Sequence, residues 1–216
     1  MGDIDLKSHL LSTAARLFQQ QGYAAVSLRK IAAAAGVTTG SLYYYFSDKD
    51  EVVHEILDSG HRRTLAEVRR AVEALGPSAD RAAKVRAGIR AHLGVLFEDD
   101  SFPAANVRIF AHVPAHLRAA VRSGRHAYEQ YWVDLLTVDD DRARHRIEPR
   151  QLTMFLFGAT NWTLEWYKAK RDSLEDLADA LAQLFFEATL AQPPAPKAVR
   201  QPGARSARGN GKRTAA

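Results

Sequence analysis

No cysteine occurs anywhere in the chain, which excludes disulfides, thiolate-held iron-sulfur clusters, thiolate zinc sites and cysteine nucleophiles together. Uninterrupted apolar runs of the roughly 18 residues that a membrane helix needs are also missing. The opening stretch, MGDIDLKSHL, lacks the basic-then-apolar layout of a secretory signal. The expectation is a cytoplasmic protein with no membrane association. Sustained period-2 alternation between turn dipeptides is absent, so no sheet is expected. Neither a G-x-S-x-G elbow, a P-loop nor a dinucleotide fingerprint occurs, and nothing calls for a cofactor. A helical di-iron enzyme would show two Glu-x-x-His repeats, whereas one copy is present, Glu51 to His54. His112 and His116 have metal-like spacing, but Pro114 lies between them. No metal and no catalytic residue is expected.

What is present is apolar material sufficient for a sizeable core, 46% of 216 residues, and an uneven distribution of charge. The formal net charge is +5, yet residues 192–216 carry six basic side chains and no acid, which leaves the first 191 residues at −1. This Pro-, Gly-, Ala- and Arg-rich end cannot bury enough apolar surface to offset its chain entropy and is expected to be a disordered basic tail. It suits either a solubilising role or non-specific attraction to phosphates.

The rest is punctuated as an all-α protein. Leu11, Ala14, Ala15 and Phe18 recur at helical spacing up to Gly22. Ser27 can cap a second helix from about Leu28 to Ala35, stopped by Gly36; a third runs from about Thr38 to Tyr45, and Ser47 or Asp48 opens a fourth. Longer amphipathic stripes follow, through Leu65–Leu75, Val85–Leu96, Ala104–His112 and Leu117–Leu135. The segments at about 149–168 and 174–191 are the most apolar, and a helix apolar nearly all round must be covered on more than one side. Leu152, Phe155, Ala159, Trp162 and Trp166 share one expected face of the first of these.

Two short helices separated by a glycine turn describe a helix-turn-helix, whose second helix enters the DNA major groove. The stretch TTGSLYYYF, residues 38–46, supplies that second helix. Successive helical residues turn by about 100°, so Tyr43, Tyr44 and Tyr45 cannot all face one core. Phenolic hydroxyls donate to phosphate oxygens and the rings lie against sugars or a thymine methyl. Tyr44 is expected to be the most exposed, with Tyr43 and Tyr45 the better candidates for packing beside Leu42 and Phe46. The small residues Thr38, Thr39 and Gly40 let backbone N–H groups approach the duplex closely. From Lys7 to Lys49 there are five basic residues and one acid, and Lys49 at a positive helix end is a candidate phosphate clamp.

The run ARLFQQQGYAAVSLRKIAAAAGVTTGSLYYYFSDKDEVV, residues 15–53, resembles the TetR family of bacterial transcriptional regulators. The resemblance implies an N-terminal three-helix DNA-binding domain over residues 1–50, a helical ligand-binding and dimerisation bundle over 51–191, and the tail 192–216. It implies DNA contacts from Ser27, Arg29, Thr38, Thr39, Gly40, Tyr43, Tyr44, Tyr45 and Lys49, and core positions at Phe18, Ile31, Val37, Leu42 and Phe46. It further implies a homodimer formed through about 149–168 and 174–191, a palindromic operator, and repression relieved by a small hydrophobic effector. Ligand-binding candidates are Phe97, Phe110, Tyr128, Trp132, Asn161, Trp162 and Trp166, each also readable as plain core. NWTLEWY, residues 161–167, followed by SLEDLADALAQLFF, is similar to the C-terminal domain of the TetR branch that regulates fatty-acid and steroid breakdown in response to acyl-CoA. An aromatic or drug-like effector is the alternative ligand, and a helical-bundle enzyme or a general scaffold the alternative to a regulator.

Overall fold

The computed structural model describes residues 3–98, 102–137 and 147–190, and the basic tail 192–216 lies outside them. Ten helices occur among the described residues: α1 (Asp3–Ala25), α2 (Leu28–Ala34), α3 (Thr39–Tyr45), α4 (Lys49–Glu73), α5 (Arg81–Leu96), α6 (Phe102–Ile109), α7 (Ala115–Ala120), α8 (Arg122–Leu136), α9 (Pro149–Trp166) and α10 (Leu174–Leu190).

The short helices begin where local chemistry allows. Ser27 Oγ accepts from Lys30 N at 3.3 Å, Thr38 Oγ1 from Ser41 N at 3.1 Å, and Asp48 Oδ1 from Glu51 N at 2.9 Å. Each satisfies an amide that the helix start leaves without a partner. Glu51 reaches back to Ser47 N at 2.7 Å, which fixes the entry into α4. Gly36, at φ 71°, takes the left-handed conformation that a side chain would resist and turns the chain between α2 and α3. Gly22 interrupts α1 with φ 75° and ψ 174°, so the regular part of that helix stops at the expected glycine.

Two clusters of buried side chains result. The first holds Phe18, Ile31, Leu42 and Phe46 with Val52, Val53, Ile56 and Leu57 of α4, and is closed from outside the first fifty residues by Ala105 and Ile109 of α6 and by Val113, Leu117 and Val121. The second gathers Val68, Ile89, Leu93, Trp132, Leu156 and Phe185 from α4, α5, α8, α9 and α10. Helix α4 belongs to both and joins them without a break. The stripe expected to form one helix through Leu117 and Leu135 is instead two helices meeting at Val121 (φ −96°, ψ 10°). The kink lets Leu117 and Val121 close the first cluster while Tyr128 and Trp132 close the second.

Only Leu152 of the expected apolar face of α9 is fully buried. Phe155, Trp162 and Trp166 are 58%, 65% and 40% exposed, and Leu184 on α10 is 60% exposed. Each is an apolar side chain left uncovered on one of these two helices.

Candidate nucleic-acid interface and effector cavity

Helix α3 is held by Leu42 and Phe46, both sealed in the first cluster. Within α3, Gly40, Tyr43 and Tyr44 face outward. Thr38 and Gly40 are exposed and Thr39 half-buried. Tyr44 is 77% and Tyr43 53% exposed, while Tyr45 is half-buried against the cluster with its ring edge-on to Tyr44 at 5.0 Å. Tyr43, expected to pack, therefore lies on the open face with Tyr44. Ser27 and Arg29 are exposed on α2.

Lys49 is in a different situation. Its ammonium donates to the Tyr23 carbonyl oxygen at 2.5 Å and lies 3.8 Å from the centre of the Tyr23 ring. Burial lowers the lysine pKa, with Asp50 opposing. Lys30 Nζ similarly donates to a backbone carbonyl, Ala25 O, at 2.7 Å.

A cavity of about 270 Å³ lies between α4, α5, α6, α8 and α9. Its walls bring together Phe110, Tyr128 and Asn161 from the expected ligand set. The others lie elsewhere: Trp132 is sealed in the second cluster, Phe97 packs on Tyr167 with ring centres 4.5 Å apart, and Trp162 and Trp166 are on the outer surface.

His92, His61, Asn106 and Phe157 also line the cavity and escaped the sequence reading. The signal was there: His61 follows Leu57 by four residues and His92 follows Ile89 by three, which places each on an apolar stripe. The His92, Tyr128 and Phe157 rings lie nearly parallel, with centres 5.1–6.1 Å apart. Asn161 Oδ1 stands 3.2 Å from His92 Nε2, and the Tyr128 hydroxyl meets His92 Nδ1. An acceptor on one side assigns the proton to Nε2, so Nδ1 accepts from the phenol. Burial agrees with this assignment, pushing the Tyr128 pKa up and the His92 pKa down to about 4. His61 is also held at about 4, by burial first and then by Arg125. Its buried Nδ1 has no hydrogen-bond partner.

Among the described residues no group of three or more His, Asp or Glu side chains could hold a metal ion, and no helix is long and apolar enough to cross a membrane.

A helix-turn-helix with an open second helix, mounted on a helical bundle, defines a DNA-binding regulator. Residues 10–56 match the family model for bacterial regulatory proteins of the tetR family, and residues 78–189 match the tetracyclin repressor-like C-terminal domain. The chain belongs to the TetR family of DNA-binding transcriptional regulators, which are not enzymes. It is 48% identical over 52 residues to the AcrR regulator of Shigella flexneri, a match covering 24% of each chain. It is 47% identical over 51 residues to the KstR2 repressor of Rhodococcus jostii, covering 24% of this chain and 25% of that one. These matches thus span about a quarter of the curated relatives' length.

Among solved structures, a TetR-family regulator from Bordetella parapertussis superposes with a TM-score of 0.73 at 26% identity, over 90% of this chain and 100% of that one. AibR in complex with isovaleryl coenzyme A and operator DNA gives a TM-score of 0.72 at 22% identity, over 84% and 97%. At that identity the likeness to AibR concerns the fold.

Proposed function

We propose that this regulator acts in the cytoplasm as a homodimeric repressor that binds a near-palindromic operator and is released by a small hydrophobic effector. The single observation that carries the DNA-binding geometry is the outward display of Tyr43 and Tyr44 on a helix anchored by Leu42 and Phe46. Thr38, Thr39 and Gly40 at its start, with Tyr45, Ser27 and Arg29, complete the surface offered to phosphates and base edges. Lys49 contributes a positive potential and fixes the geometry between α1 and α4. Residues 1–50 form the reading unit and 51–191 the ligand and dimer unit, with 192–216 a basic tail.

One helix-turn-helix reads half a site, and its mate must lie about 34–36 Å away, one duplex turn. The uncovered apolar side chains of α9 and α10 support a two-fold interface there, since exposed Phe155, Trp162 and Leu184 would otherwise face water. Gly60, His61 and Thr64 in the cavity wall belong to α4, whose first residue is Lys49. An effector that favours one placement of α4 alters the spacing of the two reading heads and so lowers DNA affinity.

A cavity of about 270 Å³ lies just below the usual range for organic ligands, roughly 300–1,000 Å³. It fits a short acyl group better than a long one. AibR, crystallised with isovaleryl coenzyme A, supports a thioester effector; the aromatic stack around His92 supports an aromatic one. Selection of genomic DNA fragments on the protein alone tests the reading. Enrichment of fragments sharing a two-fold motif is the expected result, and absence of enrichment overturns it. A melting-shift panel of short acyl-CoAs, free acids and aromatic compounds then separates the effector classes.

A further inference from the structure

Helix α7 is a six-residue element with no side-chain cap at its start, where Pro114 stands. So short a helix has little stability of its own, and its place is set by what it touches. On one side Leu117 is sealed in the first cluster, which Val52, Val53 and Ile56 of α4 also join. On the other, His116 Nε2 stands 2.7 Å from Asp50 Oδ2, one residue past the start of α4. A carboxylate only accepts, so this ring nitrogen carries the proton and donates.

Asp50 is shared. The Tyr23 side chain of α1 bears on the same carboxylate; burial first, and then Asp50, raises the tyrosine pKa. One acidic side chain thus joins α7 to α1 and to the start of α4. From there to α3 the path is short. Three residues, Phe46 to Asp48, separate the two helices. Phe46 is sealed in the first cluster and Ser47 N donates to Glu51 Oε2 at 2.7 Å, so a displacement of the α4 start is passed to α3 with little slack. The apolar cluster across this joint resists separation, but hydrophobic burial is non-directional. A hydrogen bond has a preferred angle, and the His116–Asp50 contact gives the joint one.

We infer that His116 is a positioning residue for operator recognition: through Asp50 it sets the angle of the reading head on the bundle, and with it the half-site spacing that the dimer accepts. This rests on the homodimer reading above. The two side chains are 66% and 39% exposed, so the pair adds little to stability. Its loss is felt in geometry before it is felt in folding.

Duplexes selected on the full chain are to be compared with the same duplexes carrying one base pair more or fewer between the half-sites, a shift of about 3.4 Å. The parent should favour one spacing. His116→Ala should reduce that preference about three-fold, with the melting midpoint and the preferred bases within each half-site retained. His116→Gln, whose side-chain amide can donate from a similar place, should restore much of it. Asp50→Ala should lower the preference as well, and His116→Ala should add nothing in that background. A uniform loss of affinity at every spacing, or an unaltered preference, overturns the inference. The homodimer reading fails separately. A parent that selects lone half-sites removes that reading and this one together, whereas a two-fold motif whose spacing His116→Ala leaves untouched removes this one alone.

Discussion

The Lys49 ammonium and Tyr23 are joined twice, by a 2.5 Å hydrogen bond to the tyrosine's carbonyl oxygen and by a cation–ring approach of 3.8 Å. This contact ties the first residue of α4 to the end of α1, the helices that precede and follow the helix-turn-helix's second helix in the chain. Lys49→Ala is expected to lower thermal stability by about 1–2 kcal/mol and to reduce DNA affinity with it. Unchanged melting with reduced affinity would instead make Lys49 a plain phosphate contact.

Tyr44 is the opposite case. At 77% exposure its ring contributes little to the core, so Tyr44→Ala should weaken binding to selected DNA about ten-fold while helical content and melting stay as they are. A parallel fall in the melting midpoint would assign the ring to packing.

The uncovered apolar side chains of α9 and α10 yield a prediction about assembly. Trp162→Glu with Leu184→Glu introduces charges at positions 65% and 60% exposed in the single chain, which a lone subunit should tolerate. Sedimentation at micromolar concentration should show monomers for the double variant and dimers for the parent. A variant that remains dimeric would place the interface on another surface.

His92 makes stability depend on pH. Its pKa in the folded protein, about 4, lies below the ordinary 6.5 because burial disfavours the imidazolium. Between these values the unfolded chain binds a proton that the folded one does not, so stability is full above about pH 6.5 and falls as pH drops towards 4. The contribution is at most about 3 kcal/mol, and His61 adds in the same direction. His92→Gln should flatten the dependence of melting on pH; an unaltered slope would show that other groups cause it.

Gly88 is a packing requirement on α5. A Cβ there would stand 2.9 Å from Trp132 Cη2, and the sealed indole has little room to retreat. Gly88→Ala should cost about 1–3 kcal/mol despite the better helix propensity of alanine, read as a lower melting midpoint. No loss would mean that the ring shifts freely.

The reading head was legible because its instructions are short-range. Ser27, Thr38 and Asp48 cap helices within three residues of themselves, and Gly36 turns the chain where a positive φ is needed. Anchors and display alternate on so short a helix that Leu42 and Phe46 leave Tyr44 nowhere to go but out. Tyr43 was harder, since its fate depends on how far the first cluster extends around α3.

The sequence by itself determined the all-helical class, the starts of α2, α3 and α4 and the exposure of Tyr44, because hydrogen bonds and helical periodicity act between residues a few positions apart. The tertiary structure alone decided which apolar face of α9 is covered, that Trp132 is core while Trp162 is not, and that His61 and His92 meet in one cavity. A helix apolar nearly all round carries no local preference for the face it buries. That choice is made by the shapes of neighbours distant in sequence, as is the space left unfilled between them.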